Sequence, residues 1–483
     1  MADSIYDTCY CKYFNRFYSL CPKHRLMAQM EATPETDLEE DPDYGWVNLP
    51  DIILEDVFTL LYPKERHQAS MVCHHWYQAF YSPRAWETFI LKGRVLTKKK
   101  FHPMKGWVRE VCPRKTQVCL QKLGFLFKRI IIAPTSDFYS LHVFLSILDS
   151  FLEMKPLPVL NTFHFTFACE SRSHAGKNVF GTGGKILEEI TSLISRIKGL
   201  KNLTLRQLLL DVCDSVDMLE PALQSNAETL TRLELINCSK IKHPMPGIAQ
   251  FENLQCLVIT PQHLDDEVVL LLAGMGLLDL RIVQDQYTCD AEHVSADAWR
   301  LVKEAAPFMK VTLEVRDLCT DKLLLQPYAP VHRIIFSSPY SLVAEEDILS
   351  VIHYYHQTLH TFAQVGWPRK HGSRSFHNRG DATLVSLIRG CPKLRTLSIR
   401  ERISTATLLV LAKEGLGLRK LLVRQNALLK KRDWPKQSEW STSFYDWLKV
   451  TSRSYDLVNK EVTKIIGYPW RPLRDEEFKW LRV

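Results

Sequence analysis

The chain has 483 residues, of which 46% are hydrophobic and 24% are charged. These proportions are typical of a globular protein with a sizeable core, and they exclude a chain that is disordered throughout. The formal net charge of +8 is modest for this length. The sequence therefore predicts a folded protein rather than a strongly basic or acidic binding tail.

Apolar runs are too short for a membrane-spanning helix. The longest uncharged one, from Val268 to Leu278, falls far below the roughly 20 residues that span a bilayer. No secretory signal is visible at the amino terminus. We therefore expect a protein of the cytoplasm or nucleus, with no membrane partner and with its 13 cysteines reduced.

Two segments precede the first helical pattern. Residues 1–27 contain Cys9, Cys11, Cys21 and His24, but one residue between the first two cysteines is a tighter spacing than zinc sites usually have. A loosely packed, thiol-rich segment is the favoured interpretation, and we assign no metal. Residues 28–45 carry seven acidic residues and no Lys or Arg, which predicts a solvated linker.

Residues 46–91 predict three short helices. Pro50 suits the first turn of a helix, and Ile53, Val57, Leu60 and Leu61 recur on one helical face before Pro63 interrupts the pattern. The segment has more apolar side chains than three short helices need for their own core. Such a surplus is typical of a surface that binds a partner, although packing of this face on the rest of the chain remains the alternative.

The same segment resembles an F-box, whose pattern runs L-P-x-x-I-x-x-x-I-F-x-x-L, followed by Pro and by V-C-x-x-W. The match needs no gap, and the departures are at Ile52 and at Arg66 and His67. The resemblance implies binding to the adaptor of a cullin–RING ubiquitin ligase. The residues expected to contact that adaptor are Leu49, Pro50, Ile53, Val57, Phe58, Leu61, Val72 and Trp76.

A basic stretch follows, from Lys98 to Lys115. It could form a face for nucleic acid, but several apolar residues are interleaved with the cations. We therefore favour a solvated charge run over a nucleic-acid site.

From Leu200 onward the chain repeats the pattern L-x-x-L-x-L of leucine-rich repeats. Copies start at Leu200, Leu230, Leu254, Leu277, Phe308, Val331, Leu359, Leu394 and Leu418, and looser ones at Trp86, Phe127 and Leu160. The segments 264–274, 345–357 and 404–415 between them have the apolar spacing of helices. Each repeat can bury its Leu positions only by stacking on its neighbours.

The predicted fold is therefore of the α/β class. A short three-helix F-box precedes a curved leucine-rich-repeat solenoid in residues 92–430, with parallel strands on the concave side and helices outside. Residues 431–483 are too aromatic for a free tail, and we predict that they cap the last repeats.

F-box and repeats together imply a non-catalytic substrate receptor of a Skp–cullin–F-box ubiquitin ligase, with a protein target and no cofactor. No catalytic set of residues is apparent. A repeat scaffold unconnected with ubiquitin is the alternative. Candidates for contacting the target from the strands are Arg206, Glu234, Arg281, Arg333, Arg400 and Arg424. Five of these six are basic, which favours an acidic or nucleic-acid-associated target, unless all are ordinary solvated strand residues.

Overall fold

The computed structural model describes residues 49–104, 106–157, 159–173, 176–341, 343–369 and 372–481. They fall into two compact units, residues 49–164 with Arg196–Lys198, and Phe165–Ser195 with residues 199–481. No helix in these ranges has both the length and the apolar character needed to cross a membrane.

The first unit begins with four short helices and continues as alternating strands and helices. Its helices are α1 (Asp51–Leu60), α2 (Pro63–Ala69), α3 (His74–Phe80), α4 (Pro83–Trp86), α5 (Pro113–Leu123) and α6 (Phe138–Met154). Its strands are β1 (Thr88–Leu91), β2 (Thr97–His102), β3 (Gly106–Val111) and β4 (Arg129–Ile132), while β5 (Thr162–Thr166) spans the division between the units.

The core of the first unit is aromatic. Strands β1 and β4 pair in parallel, and each lies within one of the looser repeat copies, those that start at Trp86 and Phe127. Behind them Phe89 stacks on Phe127 with ring centroids 4.9 Å apart, and on Phe144 at 5.9 Å. Strands β2 and β3 pair only with each other, as an antiparallel hairpin.

The second unit alternates strands and helices over most of its length. Its strands are β6 (Glu170–Ser173), β7 (Gly176–Val179), β8 (Asn202–Arg206), β9 (Arg232–Ile236), β10 (Cys256–Ile259), β11 (Asp279–Gln284), β12 (Lys310–Val315), β13 (Val331–Phe336), β14 (Thr361–Gln364), β15 (Thr396–Ile399), β16 (Ile403–Ser404), β17 (Lys420–Val423) and β18 (Leu428–Leu429). Its helices are α7 (Gly184–Arg196), α8 (Val212–Val216), α9 (Glu220–Asn226), α10 (Asp266–Gly274), α11 (Ala296–Ala305), α12 (Glu345–Tyr355), α13 (Asp381–Gly390), α14 (Thr405–Glu414), α15 (Thr442–Thr451), α16 (Tyr455–Ile466) and α17 (Asp475–Lys479).

The predicted repeats form one parallel sheet. Within the described part of the second unit, its strands follow the order β8-β9-β10-β11-β12-β13-β14-β15-β17. Each of these strands contains one copy of the repeat pattern that starts at Leu200 or later. The prediction of an α/β repeat fold, with parallel strands and helices outside them, is confirmed.

The Leu positions explain why the strands and helices pack in this way. Leu233 and Leu235 of β9 are fully buried, as are Leu257 and Ile259 of β10. The intervening helices start at ordinary N-cap residues, as where the Ser404 side chain accepts the Thr407 N–H at the start of α14.

The other face of this sheet carries charged side chains. The strand register aligns Glu234 with Val258, Val258 with Arg281, and Arg281 with Thr312. Side chains aligned in this way point to the same face. We call this surface the charged face and define it by Arg206, Glu234, Arg281, Glu314 and Arg333. It also contains an apolar cluster of Ile236, Val258 and Val283, all buried.

The carboxyl-terminal segment packs on the last strand of the sheet. Trp470 donates its indole N–H to the Leu421 carbonyl at 2.6 Å. The Leu473 N–H donates to the Val423 carbonyl at 2.8 Å. These bonds supply partners for the backbone of an edge strand, which would otherwise be open to pairing with another chain.

Candidate functional site

Helix α1 divides its apolar residues between an internal and an external side. Pro50 precedes its first residue, and its carbonyl accepts from the Leu54 N–H at 3.0 Å. Leu54 and Phe58, one turn apart, are fully buried. Ile53 and Leu60, two turns apart, are 48% and 84% exposed. The helix therefore contributes to a small core and still presents large side chains to solvent.

Arg66 of α2 connects three of the four helices of this segment, α1, α2 and α4. Its guanidinium donates to the Leu61 carbonyl at 2.9 Å, to the Thr59 carbonyl at 3.2 Å and to the Ala85 carbonyl. It also lies over the ring of Trp86, 4.9 Å from the centroid. Burial lowers the pKa of Arg66. A departure from the F-box pattern thus serves the internal packing, because one cation satisfies carbonyls at the end of α1 and in α4.

Further large apolar side chains of the segment are also exposed. We call them the exposed apolar set, and its members are Ile52, Ile53, Leu60, Tyr62, Met71 and Val72. A unit of about 40 residues rarely leaves so many on its surface unless they bind something.

The predicted adaptor-contact residues fall into three groups. Pro50, Ile53 and Val72 are exposed, and Leu49, Val57, Leu61 and Trp76 are half-buried. The expectation that Phe58 offers a contact surface is wrong, because it is fully buried and its ring packs edge-on against Trp76 at 6.1 Å.

The predicted adaptor contacts leave out four members of the exposed apolar set: Ile52, Leu60, Tyr62 and Met71. Leu60 was expected on the same helical face as Ile53, seven residues earlier, but was not included among the adaptor contacts.

On the charged face, Glu234 lies between two arginines. Its Oε1 accepts from Arg206 Nε at 2.7 Å and is 3.4 Å from Arg316 Nη2. Burial, and then the charge of Arg316, lowers the pKa of Arg206. The Arg281 Nε similarly lies 2.8 Å from Glu314 Oε2. Arg206 and Arg281 are each about one third exposed, so these pairs are neither free in solvent nor fully enclosed.

Three of the predicted target contacts are buried: Glu234, which lies between its two arginines, Arg400 and Arg424. Arg400 is 1% exposed and donates to the carbonyls of Ser338, Val365 and Ser341. Arg424 is also buried, and its guanidinium forms two hydrogen bonds with the Asp475 carboxylate at 2.8 and 3.1 Å. The expectation that these two arginines point outward is wrong. Arg333, in contrast, is exposed.

The described ranges were also compared with the sequence expectation for metal binding. Within them, no group of three or more His, Cys, Asp or Glu side chains is close enough to hold a metal ion. The cysteines and histidine considered for zinc, Cys9, Cys11, Cys21 and His24, lie outside the described residues.

Comparison with known families identifies the helical segment. The F-box-like family model matches residues 46–92, so the chain contains an F-box-like domain that includes α1–α4. No curated protein gives a match to the chain.

Two solved structures resemble the chain at low sequence identity. One is the Rad7 and Elc1 complex of yeast, with 14% identity, a TM-score of 0.37, and coverage of 86% of this chain and 95% of that one. The other is an internalin (inlF) from Listeria monocytogenes, with 11% identity, a TM-score of 0.25, and coverage of 68% and 90%.

Proposed function

We propose that this protein is the non-catalytic substrate receptor of a Skp–cullin–F-box ubiquitin ligase. Its F-box binds the adaptor, and through it the cullin and RING subunits, while its repeat unit binds the protein to be ubiquitinated. The chemistry of ubiquitin transfer takes place on other subunits. The receptor contributes by holding a lysine-bearing target near the charged ubiquitin-carrying enzyme, which raises its effective concentration. Such a receptor works in the cytoplasm or the nucleus.

The exposed apolar set is the observation that carries this proposal. Burying Leu60 alone removes most of a Leu side chain from water, which is worth about 1.5 kcal/mol or more. Ile53 lies on the same side of α1, two turns earlier, and adds a second anchor. A few such apolar anchors, enclosed by polar neighbours, can dominate the energy of an interface.

The test is capture of the adaptor by the full-length protein. We expect purified Skp-type adaptor to be retained by the wild-type chain, and the double variant Ile53→Ala/Leu60→Ala to weaken binding by at least about 30-fold, since two truncated anchors cost roughly 2 kcal/mol or more. Isothermal titration calorimetry gives the affinity. Leu416→Ala is the matched control, because Leu416 is a 92% exposed leucine of the second unit.

Failure of the wild-type protein to bind the adaptor would contradict the proposal and leave the repeat scaffold as the better interpretation. Equal binding by the double variant would contradict the assignment of the surface. Circular dichroism must show that the variant is folded, which we expect because both side chains are on the outside.

The charged face is the proposed surface for the target protein. Arg206, Arg281 and Arg333 remain candidates there because they are at least partly exposed. Among F-box proteins, we propose that the chain is most similar to F-box only protein 33, on the segments VHRIIFSS from Val331, GCPKLRTLSI from Gly390 and GYPWRP from Gly467.

A further inference from the structure

The hairpin of β2 and β3 has two faces of different character. Its register pairs Lys99 with Arg109 and Phe101 with Trp107. Residues that pair directly across an antiparallel ladder lie on the same face. These four side chains therefore share one face, which we call the outer face, and all four are exposed.

The opposite face is enclosed along β3, which packs on α6, while Lys98 and Lys100 of β2 are exposed on it. Along β3, exposure alternates: Trp107 and Arg109 are exposed, while Val108 and Glu110 are half-buried. The base of the hairpin is anchored, since the Val111 N–H donates to Ser140 Oγ at 2.8 Å. The outer face is thus held in a fixed orientation toward solvent.

The outer face places aromatic rings where a hairpin would ordinarily carry polar residues. Phe101 is 57% exposed and Trp107 is 72% exposed, with ring centroids 5.6 Å apart and planes at 70°. Both could have pointed to the half-buried face, which carries Val108 instead. When large aromatic residues lie on the solvent side and the smaller Val108 lies on the enclosed side, the exposed side is indicated as a surface that binds a partner.

The same face also brings two cations together. Lys99 and Arg109 are directly opposite one another, an arrangement that costs stability when no anion is present. The acidic residue of β3, Glu110, is on the other face, where it pairs with Lys100 at 2.9 Å. An anion bound between Lys99 and Arg109 would remove this repulsion.

We propose that the outer face binds single-stranded nucleic acid. Bases stack on Phe101 and Trp107, and the phosphates contact Lys99 and Arg109. The aromatic and cationic pairs are two residues apart along each strand, about 7 Å, which a nucleotide can span. Aromatic platforms beside cations are the usual means of binding unpaired nucleic acid.

The chemistry of the face distinguishes this partner from two others. An acidic peptide would use the cations but not the flat faces of the rings. A bilayer would favour an uncharged surface, whereas Lys99 and Arg109 lie beside the rings on this face. The residues differ from the exposed apolar set of the F-box, so the inference does not depend on adaptor binding.

Fluorescence anisotropy with a labelled oligouridylate of about 15 nucleotides tests the proposal on the full-length protein. We expect Phe101→Ala and Trp107→Ala each to weaken binding by about 5- to 100-fold. Lys99→Ala/Arg109→Ala should reduce the slope of log Kd against log salt by about 1.4, because two phosphate contacts are lost. Trp107→Phe should retain most of the affinity.

The matched control for charge is Lys303→Ala/Lys413→Ala, which removes two exposed cations from α11 and α14. It should leave the salt slope unchanged. An unchanged thermal midpoint for each hairpin variant excludes misfolding as the cause of weaker binding.

Four results would overturn the proposal. The first is no binding of the oligonucleotide by the wild-type protein at low salt, and the second is binding that the aromatic substitutions do not weaken. The third is binding to phosphatidylcholine vesicles with about one third phosphatidylserine, in the absence of oligonucleotide binding, which would assign the face to anionic lipid. Displacement by duplex as effective as by single strand would contradict stacking on unpaired bases.

Discussion

The F-box segment and the repeat unit distribute apolar and charged side chains in opposite ways. In the F-box, Leu60 and Tyr62 are outside while Arg66 is inside. In the repeat unit, the Leu positions are buried, and the charges lie on the opposite face of the sheet, where Arg206 and Glu234 already pair with each other. The F-box therefore has exposed apolar side chains that a partner can bury. On the charged face, by contrast, a partner must replace ion pairs that the face already forms within itself. That exchange favours selectivity over affinity.

The largest expected effect on stability is at Phe58, on the buried side of α1, compared with Leu60 on its exposed side. We expect Phe58→Ala to destabilise the F-box by about 3–5 kcal/mol, because a fully buried aromatic ring leaves a cavity. Hydrogen–deuterium exchange of peptides from residues 51–86 measures this locally. Leu60→Ala is the control and should alter protection by less than about 0.5 kcal/mol.

If Phe58→Ala left protection unchanged, the four helices would not depend on this core. If Leu60→Ala reduced protection as strongly, the exposed apolar set would be internal packing and not a docking surface.

The next effect concerns the buried cation of the repeat unit. We expect Arg400→Met to destabilise the second unit by about 3 kcal/mol or more, because the carbonyls of Ser338, Val365 and Ser341 would lose their donor. Denaturation by urea measures the change, and Arg333→Met is the control on an exposed arginine. A change equal to that of the control would mean that water replaces the guanidinium.

Local pattern predicted the repeat strands well, because each Leu position is buried by its immediate neighbours in the stack. The same pattern could not predict that Arg400 is buried. Its partners are carbonyls that follow β13 and β14, about 35 to 60 residues earlier in the sequence, and nothing at Arg400 itself indicates them.

For the F-box, helical spacing identified the apolar residues but not how they divide between core and surface. Phe58 and Leu60 both follow the apolar pattern. Phe58 is buried because Trp76 of α3 packs against it, and that contact depends on how α1 and α3 cross. Sequence alone therefore identified the F-box-like segment but not the burial of Phe58 within it.

A buried histidine adds a dependence on pH that is confined to the repeat unit. Cys238 donates its N–H to His263 Nε2 at 3.1 Å, so Nδ1 carries the proton and donates to the His243 carbonyl at 2.9 Å. Burial lowers the pKa of His263 to about 4, below the unfolded value near 6.5. Between these values the unfolded chain binds more protons, and stability falls as pH falls.

We expect the repeat unit to lose up to about 2 kcal/mol of stability through His263 between pH 7 and pH 5. The difference between wild type and His263→Gln in urea denaturation at the two pH values isolates this contribution. His356→Gln, at an exposed histidine, should keep the wild-type dependence. If His263→Gln also kept the wild-type dependence of stability on pH, a group other than His263 would bind the proton.

The smallest expected effect concerns the charged face itself. Arg281 is about one third exposed and lies 2.8 Å from Glu314, which also accepts from Ser337 Oγ at 3.0 Å. We expect Arg281→Ala to lower the stability of the second unit by no more than about 1 kcal/mol, because the Arg281 side chain is one third exposed and Glu314 keeps the Ser337 hydroxyl as a donor. A double-mutant cycle with Glu314→Gln, repeated at high salt, measures the coupling and its screening.

Loss of target capture with stability retained would assign Arg281 to recognition. A loss of stability as large as that of Arg400→Met would instead make the charged face part of the core, and the contrast with the F-box would no longer hold.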